Sequence, residues 1–192
     1  MWSINMDKKN KSLRIIIDMC IVAVLVVIDR ITKNMATVGL KGKDAYVLIE
    51  DVFELNYLEN RGAAFGVLQN QKPLFVIIGI LMLIIVMYVL IRLPLKGAKY
   101  VMLEIGLVLI AAGAIGNMTD RVMQSYVVDF FYFVLINFPI FNVADIYVTI
   151  SCIIIAIMIL FVFDENELNF LRLKKKAEDE NNCETVAADE KI

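Results

Sequence analysis

The chain has 192 residues, of which 60% are hydrophobic and 21% are charged, and its formal net charge is −2. A soluble domain is typically closer to half apolar, so this composition points to a membrane protein. The sequence contains no histidine, which excludes Ser-His and Cys-His nucleophiles, and the absence of both histidine and a cysteine cluster argues against a zinc site.

Four apolar stretches are long enough, or nearly so, to cross a bilayer, which needs about 20 apolar residues. The predicted spans are 13–36, 73–91, 101–118 and 143–163. They make residues 13–163 one membrane domain between a polar lead at 1–12 and a charged tail at 164–192, which we predict to be disordered. No small-residue cleavage site follows the first span, so we predict that it is not removed as a signal peptide.

Basic residues lie before the first span, between the second and third spans, and after the fourth span. The positive-inside rule therefore predicts that both termini and the short link are cytoplasmic, and that loops 37–72 and 119–142 lie outside. In the first outer loop, residues 45–49 and 52–58 are β-prone and predict a small extracytoplasmic sheet. The second outer loop is rich in Phe and Tyr, as expected of residues at headgroup depth.

Span three carries Gly106, Gly113 and Gly116. Small residues at such spacing let helices approach closely. We therefore interpret this pattern as a helix-packing surface rather than a ligand contact.

Asp129 and Asp145 are the candidate catalytic residues, because each is flanked by apolar residues and falls at the predicted outer face. A carboxylate near hydrocarbon is expensive, so it usually has a partner or a function. Two carboxylates that meet can share a proton and activate water, as in aspartic proteases. The alternatives are that Asp145 only caps a helix and that Asp129 only pairs with Arg121 on a solvated loop.

Further polar residues lie near the same outer ends of the spans. Asn117 and Arg121 are one helical turn apart and can share a face, from which Arg121 can hold a carbonyl or a lipid headgroup. The alternative is a surface pair between Arg121 and its neighbour Asp120. Asp29 and Lys33 have the i,i+4 spacing of an ion pair, whose alternative function is to fix orientation at the interface.

Four motifs in chain order resemble those of the lipoprotein signal peptidase family, also called signal peptidase II. They are DRITK at 29–33, NRGAAFG at 60–66, GNMTDR through VDF at 116–130, and FPIFNVAD at 138–145. The resemblance covers about residues 13–163. Two departures occur: Arg30 stands where the family usually has Gln, and Ser125-Tyr126 stands where it often has Gly.

The resemblance implies a membrane aspartyl endopeptidase that removes the signal peptide from prolipoproteins, cutting before the cysteine modified with diacylglycerol. It implies an all-α membrane protein with four transmembrane helices, a small extracytoplasmic β-cradle and a short interfacial helix near Phe65. Asp129 and Asp145 would be catalytic, and the residues that bind substrate or support the site would be Asp29, Lys33, Asn60, Gly62, Phe65, Asn117, Arg121 and Asn142.

The same resemblance implies a bacterial cytoplasmic membrane protein with its active site at the extracytoplasmic face. Its partners would be the lipid-modified prolipoprotein and membrane lipids, and we expect no cofactor, metal, nucleic acid or obligate protein partner. One rival function is a small ion- or proton-coupled transporter, which predicts acidic groups near mid-membrane. Another is a non-enzymatic assembly protein, which predicts that both Asp129 and Asp145 tolerate replacement by Asn.

Overall fold

The computed structural model describes residues 2–62, 71–94 and 97–171. In the described residues, its first compact unit, which ends at Val162, contains four α-helices, three strands and a short 3₁₀ helix over Val134–Ile136. In chain order the α-helices and strands are α1 (Trp2–Leu40), β1 (Tyr46–Ile49), β2 (Phe53–Asn60), α2 (Lys72–Arg92), α3 (Ala98–Gln124), β3 (Val127–Phe133) and α4 (Val143–Ile157), which continues as a π-helix over Met158–Val162. The second unit begins at Phe163 and contains a 3₁₀ helix over Glu165–Leu171, within the tail predicted to be disordered.

Three helices in the described part of the chain are long and apolar enough to cross a membrane, by length and composition: Lys72–Arg92, Ala98–Gln124 and Val143–Val162. They contain most of the second, third and fourth predicted spans, although α3 runs six residues past the predicted end at 118. The first predicted span, 13–36, lies within the continuous helix α1 but includes five charged residues. Four transmembrane helices therefore remain a prediction.

Helix α3 lies at the centre of the unit and packs against α1, α2 and α4. A Cβ atom at Gly113 would lie 2.6 Å from the carbonyl oxygen of Ala144, and one at Gly106 would lie 3.1 Å from a side-chain carbon of Ile155. The Oγ of Ser151 donates to the carbonyl oxygen of Gly106 at 2.7 Å across the same contact. The predicted helix-packing function of these glycines is confirmed, because α4 touches the backbone of α3.

The three strands form one antiparallel sheet in the order β1-β2-β3. Strands β1 and β2 confirm the predicted sheet, whereas β3 lies in the region that was predicted as a loop. Asn60 pairs with Val127 at one end of the β2–β3 ladder, and a bulge interrupts the pairing between Leu55 and Leu58. Because Phe131 and Phe141 exchange backbone hydrogen bonds, the start of α4 lies beside β3.

Candidate active site

Asp129 lies in the middle of β3 and is 1% exposed. Strand pairing brings the end of β2 next to it, and the Nδ2 of Asn60 donates to Asp129 Oδ2 at 2.8 Å. The Nδ2 of Asn142, just before α4, donates to Asp129 Oδ1 at 2.6 Å. Both carboxylate oxygens are therefore held, and the prediction that Asp129 only pairs with Arg121 on a solvated loop is wrong.

Asp145 lies in the first turn of α4, where it forms a capping box with the N-cap residue Asn142. Its Oδ2 accepts the backbone N–H of Asn142 at 3.1 Å, and its own backbone N–H donates to Asn142 Oδ1 at 3.1 Å. The predicted capping role is thus confirmed, but it uses only one carboxylate oxygen. Asp145 Oδ1 accepts the Nδ2 of Asn117 on α3 at 2.8 Å, so Asp145 also belongs to the polar cluster.

Asn142 joins the two carboxylates to each other. Its side chain is fully buried, and its Nδ2 donates to Asn117 Oδ1 at 3.2 Å as well as to Asp129. Because its backbone N–H and its Oδ1 are both bound to Asp145, every polar group of Asn142 that faces the cluster has a partner. Asp129 and Asp145 therefore lie in one hydrogen-bonded cluster at the junction of β3, α3 and α4.

The environment of Asp129 favours its protonated form. The pKa of Asp129 is raised from 3.8 to about 7, chiefly by burial and also by the negative charge of Asp145. The hydrogen bonds from Asn60 and Asn142 and the charge of Lys33 act in the opposite direction. A carboxyl group whose pKa lies near 7 can donate a proton at neutral pH and recover it afterwards.

Lys33 is 2% exposed and links α1 to the cluster. Its Nζ lies 2.9 Å from Asp29 Oδ2 and 3.1 Å from Asp120 Oδ2, and it donates to Asn117 Oδ1 at 2.9 Å. The predicted ion pair between Asp29 and Lys33 is confirmed. It is not a surface feature, because Asp29 is fully buried and its Oδ1 accepts the backbone N–H of Ala144 at 3.0 Å.

Asp120 is a residue of the cluster that the sequence interpretation missed. It is fully buried, forms ion pairs with Arg30 and Lys33, and accepts the backbone N–H of Val128 at 3.3 Å. The predicted surface pair between Asp120 and Arg121 is wrong. Successive residues on a helix point in different directions, and this spacing rule could have excluded the pair.

Arg121 lies on the other side of α3 and forms one wall of a cavity. It donates to the carbonyl oxygens of Gly62 and Asn117 at 3.2 and 3.3 Å, and its guanidinium carbon lies 4.5 Å from the ring centre of Phe75. The cavity has a volume of about 520 Å³ and contacts both Asp129 and Asp145. Its remaining walls are mainly apolar and include Phe75, Phe138, Phe141, Ile146 and Ile150.

The structure brings nine of the ten predicted site residues into this cluster or its cavity. They are Asp29, Lys33, Asn60, Gly62, Asn117, Arg121, Asn142, Asp129 and Asp145. The tenth, Phe65, lies outside the described residues. The described ranges contain no group of three or more Asp, Glu, His or Cys side chains that could hold a metal ion.

Asp18 on α1 and Glu104 on α3 form a second pair of buried carboxylates, separate from the pair Asp129 and Asp145. Arg14 forms an ion pair with Glu104 and donates to the carbonyl oxygen of Pro94 at 2.8 Å. A cavity of about 670 Å³ runs beside these residues, with mostly apolar walls. We interpret this cluster as a contact that holds α1 and α3 together, because the positive charge of Arg14 offsets the negative charge of Glu104.

Comparison with known proteins gives concordant results for family and fold. Residues 21–161 match the family described as Signal peptidase (SPase) II. The lipoprotein signal peptidase of Caldanaerobacter subterraneus subsp. tengcongensis is 42% identical over 142 residues, which are 73% of this chain and 94% of that protein. The lipoprotein signal peptidase of Brevibacillus brevis is 40% identical over 149 residues, which are 78% of this chain and 96% of that protein. A bacterial membrane enzyme solved by the in meso method at 2.3 Å matches with a TM-score of 0.66 and 32% identity, over 83% of this chain and 93% of that one.

Proposed function

The chain belongs to the signal peptidase II family, and we propose that it is an aspartic endopeptidase that removes the signal peptide from prolipoproteins, cleaving before the diacylglyceryl-modified cysteine. The observation that carries the aspartic mechanism is the pair Asp129 and Asp145, both bound to Asn142 beside a cavity. Two carboxyl groups that share a site can act together as acid and base on an amide.

In this mechanism Asp129 carries the shared proton and Asp145 is ionised. The raised pKa of Asp129 favours its neutral form, and the N-terminus of α4 favours a negative charge on Asp145. Asp145 takes a proton from water as the water oxygen attacks the carbonyl carbon, while Asp129 gives its proton to the carbonyl oxygen. Collapse of the tetrahedral diol breaks the C–N bond: the proton on Asp145 goes to the leaving amine, and one hydroxyl of the diol returns its proton to Asp129 as the new carbonyl forms.

The cavity is suited to an amide bond next to a lipid chain. Asn60 and Arg121 lie at its polar end and would hold backbone carbonyls of the substrate, while the apolar wall of Ile146 and Ile150 would contact the signal peptide or an acyl chain. Asn117, Gly62, Asp29 and Lys33 support the groups that contact substrate. Since acyl chains stay in the bilayer, a site at the end of the spans can reach both the bond and water.

We further propose that the protein lies in the bacterial cytoplasmic membrane with four spans, cytoplasmic termini and its active site at the outer face. The basic residues before the first span and after the fourth support this orientation. The charged side chains of α1 that lie within the proposed first span are compatible with a membrane position where they bind partners on α3, as Arg14, Arg30 and Lys33 do.

The test is cleavage of a diacylglyceryl-modified prolipoprotein by the purified protein in detergent. Wild type is expected to cleave it, and Asp129→Asn and Asp145→Asn are each expected to lose at least about a thousandfold in kcat, since each removes one of the two proton-transfer groups. Asp44→Asn, an exposed residue outside the site, is the matched control and should cleave normally.

Folding of each variant is checked by thermal unfolding. Retained cleavage in a folded Asp129→Asn or Asp145→Asn variant would refute the two-aspartate mechanism. Folded wild type that leaves a modified substrate intact would refute the peptidase function and favour the transporter or assembly function.

A further inference from the structure

Arg30 is a partly exposed residue of α1 whose side chain binds the buried polar cluster. Its side chain is 39% exposed, whereas its ion-pair partner Asp120 is fully buried. Asp120 also accepts the backbone N–H of Val128, the residue directly before Asp129 in β3. Arg30 on α1 therefore reaches, through one carboxylate on α3, the strand that carries a proposed catalytic group.

Arg30 also balances the charge of the cluster. Asp29 and Asp120 are both fully buried, and Lys33 lies within 3.1 Å of both. One lysine offsets only one of the two negative charges, and the second is offset by Arg30. An unmatched buried charge is strongly destabilising, and a negative charge opposes ionisation of other carboxyl groups nearby.

We propose that Arg30 is a positioning residue of the peptidase, which holds β3 in place through Asp120 and offsets the buried negative charge that Lys33 alone leaves on Asp29 and Asp120, beside the two catalytic carboxyl groups. This inference rests on the proposed function, because it needs the pair Asp129 and Asp145 to be the catalytic groups. Arg30 itself does not touch the pair; it acts through Asp120.

The direction of the electrostatic effect follows from the charged groups that surround the pair. Replacement of Arg30 by a neutral residue makes the net charge around Asp129 and Asp145 more negative by one unit. Both pKa values of this pair therefore rise. For an assumed separation of roughly 10 Å and an effective dielectric constant of about 20 to 40, a unit charge shifts a pKa by about 0.6 to 1.2 units, and screening by salt reduces the expected shift to about 0.5 to 1 unit. The charged groups that face Asp129 and Asp145 directly or through the cluster are Asp29, Arg30 and Lys33 on α1 and Asp120 and Arg121 on α3.

The experiment compares Arg30→Gln with Arg30→Lys in the cleavage of a diacylglyceryl-modified prolipoprotein across a range of pH. Arg30→Gln is expected to lower kcat about 3- to 10-fold with KM within about twofold, and to move both limbs of the pH profile up by about 0.5 to 1 unit. Arg30→Lys keeps the charge and is expected to keep the wild-type profile. The matched control is Arg14→Gln, another arginine of α1 paired with an α3 carboxylate, Glu104, but roughly 24 Å away along the helix.

Several results would overturn the inference while the peptidase function stands. One is an Arg30→Gln pH profile that coincides with that of wild type. Another is an Arg30→Lys profile shifted as far as that of Arg30→Gln. A third is an equal shift in Arg14→Gln, which would show that the effect comes from general destabilisation. If Arg30→Gln does not fold, Arg30→Lys decides alone, because a shifted profile in that variant contradicts a role based on charge. A folded wild type without cleavage overturns the proposed function first and this inference with it.

Discussion

Replacement of Asn60 by Ala is expected to shift the alkaline limb of the cleavage profile to higher pH. Asn60 Nδ2 donates to Asp129 Oδ2 at 2.8 Å, and this bond lowers the pKa of Asp129, which burial and the charge of Asp145 nevertheless keep raised at about 7. A hydrogen bond to a charged group contributes about 1.5–3 kcal/mol, and about 1.4 kcal/mol corresponds to one pKa unit. Since water can replace part of the lost bond, we expect an upward shift of about 1 unit.

The assay is the pH dependence of kcat for a diacylglyceryl-modified peptide in detergent micelles. Loss of the protonated acid limits the rate at high pH, so the alkaline limb reports the upper ionisation of the pair. Asn56→Ala, an asparagine of the same strand outside the site, is the control and should leave the limb in place. An alkaline limb that stays fixed or moves down in Asn60→Ala would refute the assignment of the proton to Asp129.

Two further predictions concern stability. Because the folded-state pKa of Asp129 is raised from 3.8 to about 7, its contribution to stability is complete below pH 3.8 and is lost as the pH rises through 7. Between about pH 5 and 8, wild type should therefore lose about 2 to 3 kcal/mol more stability than Asp129→Asn in thermal unfolding, and equal losses would contradict this. Gly116→Ala should destabilise by about 1–3 kcal/mol, because its Cβ would lie 2.6 Å from Asp29 Oδ2. Gly39→Ala, whose Cβ would meet nothing within 4 Å, should keep the wild-type melting temperature or raise it slightly, and equal melting temperatures for the two variants would disprove this reasoning.

The helices and the first two strands could be predicted because their signals are local. Long apolar stretches give the spans, and short runs of β-branched and aromatic residues give β1 and β2. Strand β3 has the same kind of composition, but its aromatic residues are equally typical of a loop at headgroup depth. Its partner β2 lies roughly seventy residues earlier, and pairing at that separation leaves no mark in the sequence around β3.

Most residues of the candidate site could be predicted, but Asp120 and the contacts between the residues could not. Asp129 and Asp145 stand out because carboxylates are rare beside apolar runs. Asn142 lies between them because Phe141, the residue before it, pairs with β3. No local sequence pattern predicts this contact. The partner of Asp120 was missed for a similar reason, since Arg30 is 90 residues away in the sequence.

The capping box at the start of α4 means that the fold and the proposed chemistry depend on the same few atoms. Fraying of the first helical turn would release the Asp145 carboxylate from Asn142 and, with it, the amide that holds Asp129. Amide hydrogen exchange at Ala144 and Asp145 would therefore report how often the hydrogen bonds of the proposed active site open, even without substrate. A compound that competes for the donors of Asn142 would act as a local unfolding agent as well as an inhibitor.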